Sequence, residues 1–307
     1  MGDGSRKATG AAAAGVTVCL WASAFVGIRA AGEDLSAGPL TLGRLLVGAA
    51  ALGTFVALRR DALPPGDAIP RLLACGLLWF GAYNVLLNAA EQRIDAGTAA
   101  MLVNVGPVIL AVLAGVLLHE GFPRSLLTGC AIAFAGAIVI GLATSERSVD
   151  AGWGAALCVA AAAAYAGGVV AQKPLLERTS ALQVTFMACL IGAVACLPFA
   201  PGLLRELGDA PASSVAWTAY LGVFPTAIGF TTWAYALKRT SAGKMGATTY
   251  LVPPIAVLLG WAILGETPPA LALAGGALCL VGVALTRGVR LPSRQPRERV
   301  AAGARRN

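Results

Sequence analysis

The segment from Gly97 to Gly141 recurs in register at Gly243 to Arg287. Laid without gaps, residues 96–141 and 242–287 share twelve identities. Leu and Ala matches carry little weight in apolar sequence. Gly97/Gly243, Pro107/Pro253, Ile109/Ile255, Glu120/Glu266, Pro123/Pro269, Gly129/Gly275 and Gly136/Gly282 are hard to obtain by chance, and together they mark an internal duplication. An earlier pairing, at an offset of 144, sets Thr41 on Thr185, Gly48 on Gly192 and Ala49 on Ala193.

What is duplicated is membrane sequence. The chain is 57% apolar and 12% charged, against roughly 25% charged residues in soluble domains. A spanning helix needs about 20 mostly apolar residues. Ten such runs are expected, near 11–31, 37–58, 71–90, 97–118, 124–143, 152–172, 181–201, 213–237, 245–264 and 268–286. The first follows Arg6-Lys7 and has a signal-peptide-like Ala22-Ser-Ala24. Its weak counterpart in the second half assigns it to the fold instead. The seven cysteines all fall in apolar runs without a C-x-x-C spacing, which fits small core residues better than disulfides or metal ligands.

Lys and Arg set the expected orientation. With the N-terminus cytoplasmic and the spans alternating, 18 cations fall on the cytoplasmic side. Four, Arg29, Arg93, Arg147 and Arg205, fall outside. Both termini are then cytoplasmic. Seven of the basic residues lie after residue 286, a pattern suited to anionic lipid rather than nucleic acid. Five spans per half force the second half to enter from the opposite side. The expected fold is therefore an all-α integral membrane protein, with ten transmembrane helices as two inverted five-helix repeats. Its parts are a cytoplasmic segment 1–10, a first repeat 11–143, an inverted second repeat 144–287 and a basic tail 288–307.

Trp21-Ala-Ser-Ala-Phe-Val-Gly-Ile, Leu42-Gly-Arg44-Leu-Leu, Asp95-Ala-Gly97-Thr-Ala-Ala, Gly106-Pro107 and Leu118-His-Glu120 occur in that order. Thr240-Ser-Ala-Gly243, Pro253-Pro254 and Leu264-Gly-Glu266 follow in the second half. This sequence resembles the EamA-type repeat of the drug/metabolite transporter superfamily over about residues 11–287. The resemblance implies a ten-helix inner-membrane exporter of small metabolites, commonly amino acids or related compounds. It also implies a central cavity lined largely by helices 3, 4, 8 and 9. Arg44 departs from the repeat, since Ala188 occupies its counterpart position.

Pro107 and Pro253-Pro254 sit near the centres of helices 4 and 9. Each proline removes a helical hydrogen bond and frees the carbonyl four residues back, here those of Val103, Thr249 and Tyr250. Asn104 and Thr248-Thr249-Tyr250 are at hand as partners. Matching interruptions in inverted halves point to a substrate site; a kink that serves packing alone is the alternative. Asn84, Asn88 and Glu91 form one polar stripe on helix 3. They face either a cavity or neighbouring helices, where a hydrogen bond contributes about 0.6–2 kcal/mol. Thr231, Thr232, Trp233 and Tyr235 give helix 8 a comparable character. Tyr83, Trp79 and Tyr250 supply an aromatic wall or interface anchors, and Trp153 and Trp217 suit the interface. Ser23, Tyr165 and Gln172 are weaker cavity candidates.

Arg44 lies roughly 10 Å into helix 2 at about 1.5 Å per residue. It either binds a substrate carboxylate or snorkels outward as an anchor, with Glu33 or Asp34 as the expected partner. Glu120 and Glu266 precede helices 5 and 10 and suit helix capping, with proton coupling as the alternative. His119 reads as an interface residue. Gly129, Ala133 and Gly136, and Gly275, Cys279 and Gly282, form small-residue faces for close packing.

The expected function is a secondary transporter that exports neutral or zwitterionic amino acids, or related amphiphiles, by alternating access. No clear midplane Asp or Glu is present, although Glu91 keeps proton coupling open. A sugar phosphate would call for more buried cations than Arg44. A flippase of a lipid-linked intermediate, a membrane-embedded enzyme and a non-transporting scaffold are the alternatives. The enzyme lacks a nucleophile–base pair or an H-E-x-x-H motif, and no Walker A motif is present. The expected partners are a small-molecule substrate and membrane lipid, with a homodimer left open. No cofactor, metal or nucleic acid is expected, and the expected location is a bacterial-type inner membrane.

Overall fold

The computed structural model describes residues 3–59, 64–118, 124–145 and 149–286. Arg60, His119, Glu120, Pro123, Arg147 and the segment 288–307 lie outside the described residues. So do the side chains of Arg6, Lys7, Ala133 and Lys244. All regular structure among the described residues is helical. The helices are α1 (Asp3–Ala31), α2 (Ala37–Arg59), α3 (Gly66–Glu91), α4 (Ala96–Leu117), α5 (Arg124–Ser145) and α6 (Val149–Arg178). They continue with α7 (Ala181–Ala195), α8 (Ala200–Asp209), α9 (residues 212–237), α10 (residues 242–264) and α11 (Ala270–Thr286).

By length and composition, five helices can cross a membrane: α1 from Ala8, α2, α3, α4 and α6. The pair Ala181–Ala195 and Leu197–Asp209, bent by 50°, makes a sixth if counted as one span. Large apolar side chains such as Phe55, Leu58, Leu142 and Trp261 point away from the protein. A surface of that kind suits lipid rather than water. The chain is a multi-pass membrane protein.

The span expected to run unbroken through 181–201 is not continuous. α7 stops at Ala195, and α8 starts only at Ala200, beyond the turn at Leu197–Phe199. Pro198 and Pro201 each lack the N–H that a continuing helix needs. α8 then lies against the start of α2. Glu206 accepts hydrogen bonds from the Ser36 N–H (2.8 Å) and hydroxyl (2.7 Å).

The helices present two chemically distinct ends. One carries Glu33, Asp34, Asp95, Asp150, Glu206 and Glu266 and is called the acidic end here. Arg93 pairs with Asp150 there at 3.1 Å, and the Ser214 hydroxyl bonds Asp34 at 2.5 Å. The other end holds Arg71, Lys173, Arg178, Lys238 and Arg239 against Asp67 and Glu177, with Asp67 paired to Arg178. Lys173 donates to the carbonyls of Leu237 (2.7 Å) and Thr240 (2.5 Å), placing a cation on the negative C-terminus of α9.

Two glycine contacts fix the centre of the bundle, and each mirrors the other. A Cβ at Gly76 on α3 would stand 2.6 Å from the Ile191 Cβ and 2.8 Å from the Ala188 carbonyl on α7. A Cβ at Gly222 on α9 would stand 2.6 Å from the Val47 Cβ and 2.8 Å from the Arg44 carbonyl on α2. Gly76 and Gly222 are 146 residues apart, while Ala188 and Ile191 are 144 beyond Arg44 and Val47. Both glycines open widened, π-type turns, Gly76–Ala82 and Gly222–Gly229. Each half thus packs its second helix on the third helix of the other. α5 and α11 meet through the small-residue faces. A Cβ at Gly136 would come within 2.6 Å of the Gly275 carbonyl and 2.7 Å of the Cys279 amide.

Candidate substrate cavity

The proline signals become two helix breaks facing one another. α4 turns at Asn104-Val105 before resuming at Gly106-Pro107. α10 tightens into a 3₁₀ turn over Ala247–Leu251, directly before Val252-Pro253. The Thr249 carbonyl, denied a partner at Pro253, accepts the Val252 N–H and lies 3.5 Å from the Asn104 side-chain amide, a weak bond between the two breaks. The same Asn104 amide donates to the Ala100 carbonyl at 3.2 Å.

A narrow cavity, with room of only about 50 Å³ for the centres of water molecules, lies beside these breaks. Arg44, Tyr83, Asn84, Asn104, Pro107 and Tyr165 line it, all expected from sequence. Trp21, Trp79, Phe230 and Thr249 complete its aromatic and polar wall. The aromatic side is continuous. Trp21 stacks on Trp233 with centroids 4.9 Å apart, Trp79 lies 4.8 Å from Phe230, and Tyr165 lies 5.5 Å from Trp79.

The polar side offers unmatched groups. Asn84 donates its amide to the carbonyls of Trp79 (3.1 Å) and Phe80 (2.8 Å), which belong to the π-type turn. Its Oδ1, the Asn104 Oδ1, the Tyr165 hydroxyl and the Trp21 indole N–H have no partner among the described residues. Each such buried group costs about 1–3 kcal/mol if left unpaired, so a ligand or water that pairs with it gains in proportion. Arg44 is 3% exposed. Its Nε and Nη2 donate to the Thr226 hydroxyl at 3.2 and 3.1 Å, and Thr226 in turn donates to the Leu221 carbonyl at 2.7 Å.

Two expectations about charge need correction. Arg44 pairs with neither Glu33 nor Asp34, and it does not snorkel. Asp34 is engaged by Ser214, and the Arg44 side chain turns inward to the π-type turn of α9. Glu266 does not cap the helix that follows it. Its Oε2 accepts from the Ala96 N–H at 3.3 Å, on the first turn of α4, and its Oε1 accepts from Arg29 Nε at 2.6 Å.

The remaining candidates lie outside the cavity lining. Asn88 donates to the Thr41 hydroxyl at 2.8 Å and serves the α2–α3 contact. Thr231 donates to its own helix at Ala227 (2.6 Å). Trp233 is buried behind Trp21. Tyr235 sits towards the basic end, with the Arg239 guanidinium 3.4 Å over its ring. Tyr250 is half-buried on the 3₁₀ turn, and Pro253 is buried at the restart of α10. Gln172 is fully buried, and neither of its amide atoms has a partner among the described residues. The Ser23 hydroxyl bonds Tyr220 at 2.7 Å.

The family model described as EamA-like transporter family matches residues 8–142 and again residues 152–288. The chain belongs to this family. This EamA-like transporter is 40% identical over 273 residues to a probable terminal-alkyne amino-acid exporter of Streptantibioticus cattleyicolor, covering 88% of this chain and 90% of that relative. It is 32% identical over 269 residues to the uncharacterized transporter YdfC of Bacillus subtilis, with 87% of each covered. A probable amino-acid metabolite efflux pump of Salmonella typhimurium is 24% identical over 278 residues, covering 87% of this chain and 91% of that one. A solved crystal structure aligns with a TM-score of 0.63 at 18% identity, over 91% of this chain and 97% of the other, a likeness of fold. These names set the EamA-like transporter among transporters rather than enzymes.

Trp21 and Phe230 line the cavity but were not among the expected site residues. Apolar aromatics give no polar signal inside a span. The repeat register does mark them: Trp21 stands 144 residues before Tyr165, and Phe230 stands 146 after Asn84. Val103 and Thr249, another pair of lining residues, are also 146 apart.

Proposed function

We propose that this transporter exports a small zwitterionic metabolite, a neutral amino acid or close relative, by alternating access. The observation that carries the reading is the chemistry of the cavity. Arg44, a buried cation with no carboxylate partner among the described residues, shares it with two unmatched amide oxygens and an aromatic wall. The guanidinium offers charge-assisted donors to a carboxylate. The Oδ1 atoms of Asn84 and Asn104 accept from an ammonium, and the aromatic wall receives an apolar side chain.

The relatives named for amino-acid and amino-acid-metabolite efflux favour the same substrate class. The working scheme is ten spans in two inverted repeats, 11–143 and 144–287, flanked by 1–10 and 288–307 in the cytoplasm of a bacterial-type inner membrane. The mirrored packing of Gly76 and Gly222 supports the repeat relation, and the segregation of acidic and basic ends supports the orientation. Rocking one repeat against the other opens the cavity first to one side and then to the other.

Purified protein in liposomes is expected to exchange a labelled neutral L-amino acid across the bilayer. Movement of a lipid-linked probe without flux of any amino acid would instead establish the flippase reading.

A further inference from the structure

The central cavity shares no lining residue with a second recess at the acidic end. Ile28 on α1 and Leu87 on α3 line the cavity. Just beyond them in sequence, Arg29, Arg93 and Asp95 line the second, polar recess together with Glu266. Glu91 stands in sequence between the two linings, one turn past Leu87. It is 1% exposed, and neither of its carboxylate oxygens has a hydrogen-bond partner among the described residues. An ionised carboxylate buried without donors is strongly disfavoured, whereas a neutral acid is tolerated.

Arg29 is within reach of it. Its Nη1 donates to the Glu91 backbone carbonyl at 2.9 Å, while its Nε donates to the Glu266 carboxylate at 2.6 Å. Through Glu266, which also holds the Ala96 N–H, this one guanidinium ties α1, α3 and the turn after α10 to the start of α4. The other groups in electrostatic contact with Glu91 are Arg44 from α2, Tyr83 on α3, Asp95 before α4, Cys158 from α6 and Glu266. Arg44 is engaged by Thr226. Asp95 is engaged by the Thr98 N–H (2.8 Å) and hydroxyl (2.7 Å). Arg44 is the cation assigned above to the substrate; Arg29, which already donates to the Glu91 backbone, is the cation placed to exchange Glu266 for Glu91.

We propose that Glu91 is a proton-binding site that controls the partition between the central cavity and the acidic end. With its proton bound, Glu91 leaves Arg29 on Glu266, and the partition stays shut. When the proton leaves, Arg29 exchanges the Glu266 carboxylate for that of Glu91. The turn after α10 and the start of α4 are then released. Because the shut state holds the proton, falling pH favours it and rising pH favours opening. The export reading gives this switch its purpose, but the switch is measurable without any substrate.

The test places spin labels at Glu33→Cys and Thr267→Cys, both exposed at the acidic end, in a full-length background with the native cysteines replaced. The inter-label distance distribution is measured from about pH 5 to about pH 9, a range that brackets buried carboxylates. The protein with Glu91 intact is expected to gain a longer-distance population as pH rises. Glu91→Gln is expected to stay shut throughout, and Glu266→Gln to lose the shut population at every pH. A Glu91→Gln variant that keeps the original pH profile would overturn the proposal, as would an intact protein that shows no pH dependence. If Glu91→Gln does not fold, Glu266→Gln decides: a shut population equal to that of the intact protein would overturn it. Loss of amino-acid flux alone would count against the export reading and leave the distance result standing.

Discussion

Replacing Arg44 with Gln is expected to lower exchange of a neutral amino acid by at least about thirtyfold. Losing one partner of a buried, hydrogen-bonded charge pair costs about 2 kcal/mol or more, which corresponds to that factor. The loss should depend on the ligand. An amino-acid amide lacks the carboxylate that Arg44 would hold, so its weaker interaction should change little between the two proteins. Asn84→Ala and Asn104→Ala are expected to rank next, because each removes one neutral acceptor. Cys158→Ala, which removes a buried thiol outside the cavity lining, should rank last. Exchange rates at equal protein content in liposomes check the order. Equal losses for the amino acid and its amide would remove Arg44 from carboxylate recognition.

Gly222→Val is expected to destabilise the protein by about 1–3 kcal/mol or more, the usual cost of overpacking. The added Cβ meets the Val47 Cβ at 2.6 Å and the Arg44 carbonyl at 2.8 Å. A backbone carbonyl cannot swing aside as a flexible side-chain end can, so α2 must move away from α9. That movement takes Arg44 off Thr226, and exchange should fall with stability. Gly76→Val should behave alike in stability, because it meets α7 through the mirrored contact. Gly15→Val is the contrast: a Cβ there has no neighbour within 4 Å, so the change should be small. Thermal melting in detergent separates the three. Equal melting temperatures for Gly222→Val and Gly15→Val would contradict the packing argument.

Gly, Pro and Glu identities in register revealed the duplication, because these residue types repeat only where backbone geometry or charge demands them. The same register predicted where α4 and α10 break, and Pro107 and Pro253 stand at those breaks. The π-type turns at Gly76 and Gly222 were not legible, since a widened turn leaves the apolar pattern almost unchanged. Asn84 was recognised as buried and polar. Its amide binding to the Trp79 and Phe80 carbonyls, which leaves Oδ1 without a partner among the described residues, depends on that unseen turn. Arg44 was found by its charge, but its partner was not. Thr226 lies 182 residues away, and only the packing of α2 on α9 brings them together. Glu266 misled for a related reason: sequence adjacency suggested the helix after it, while the fold presents it to α4. At α7, Pro198 and Pro201 carried the stop signal, but the apolar run across them masked it.

The cavity at the two helix breaks is expected to hold the substrate. A crystal structure of the protein with a bromine-labelled neutral amino acid tests this directly through anomalous scattering. A bromine peak is expected against the aromatic wall formed by Trp21, Trp79 and Tyr165, with the ligand carboxylate on Arg44. A peak outside this cavity, or the carboxylate turned away from Arg44, would contradict it.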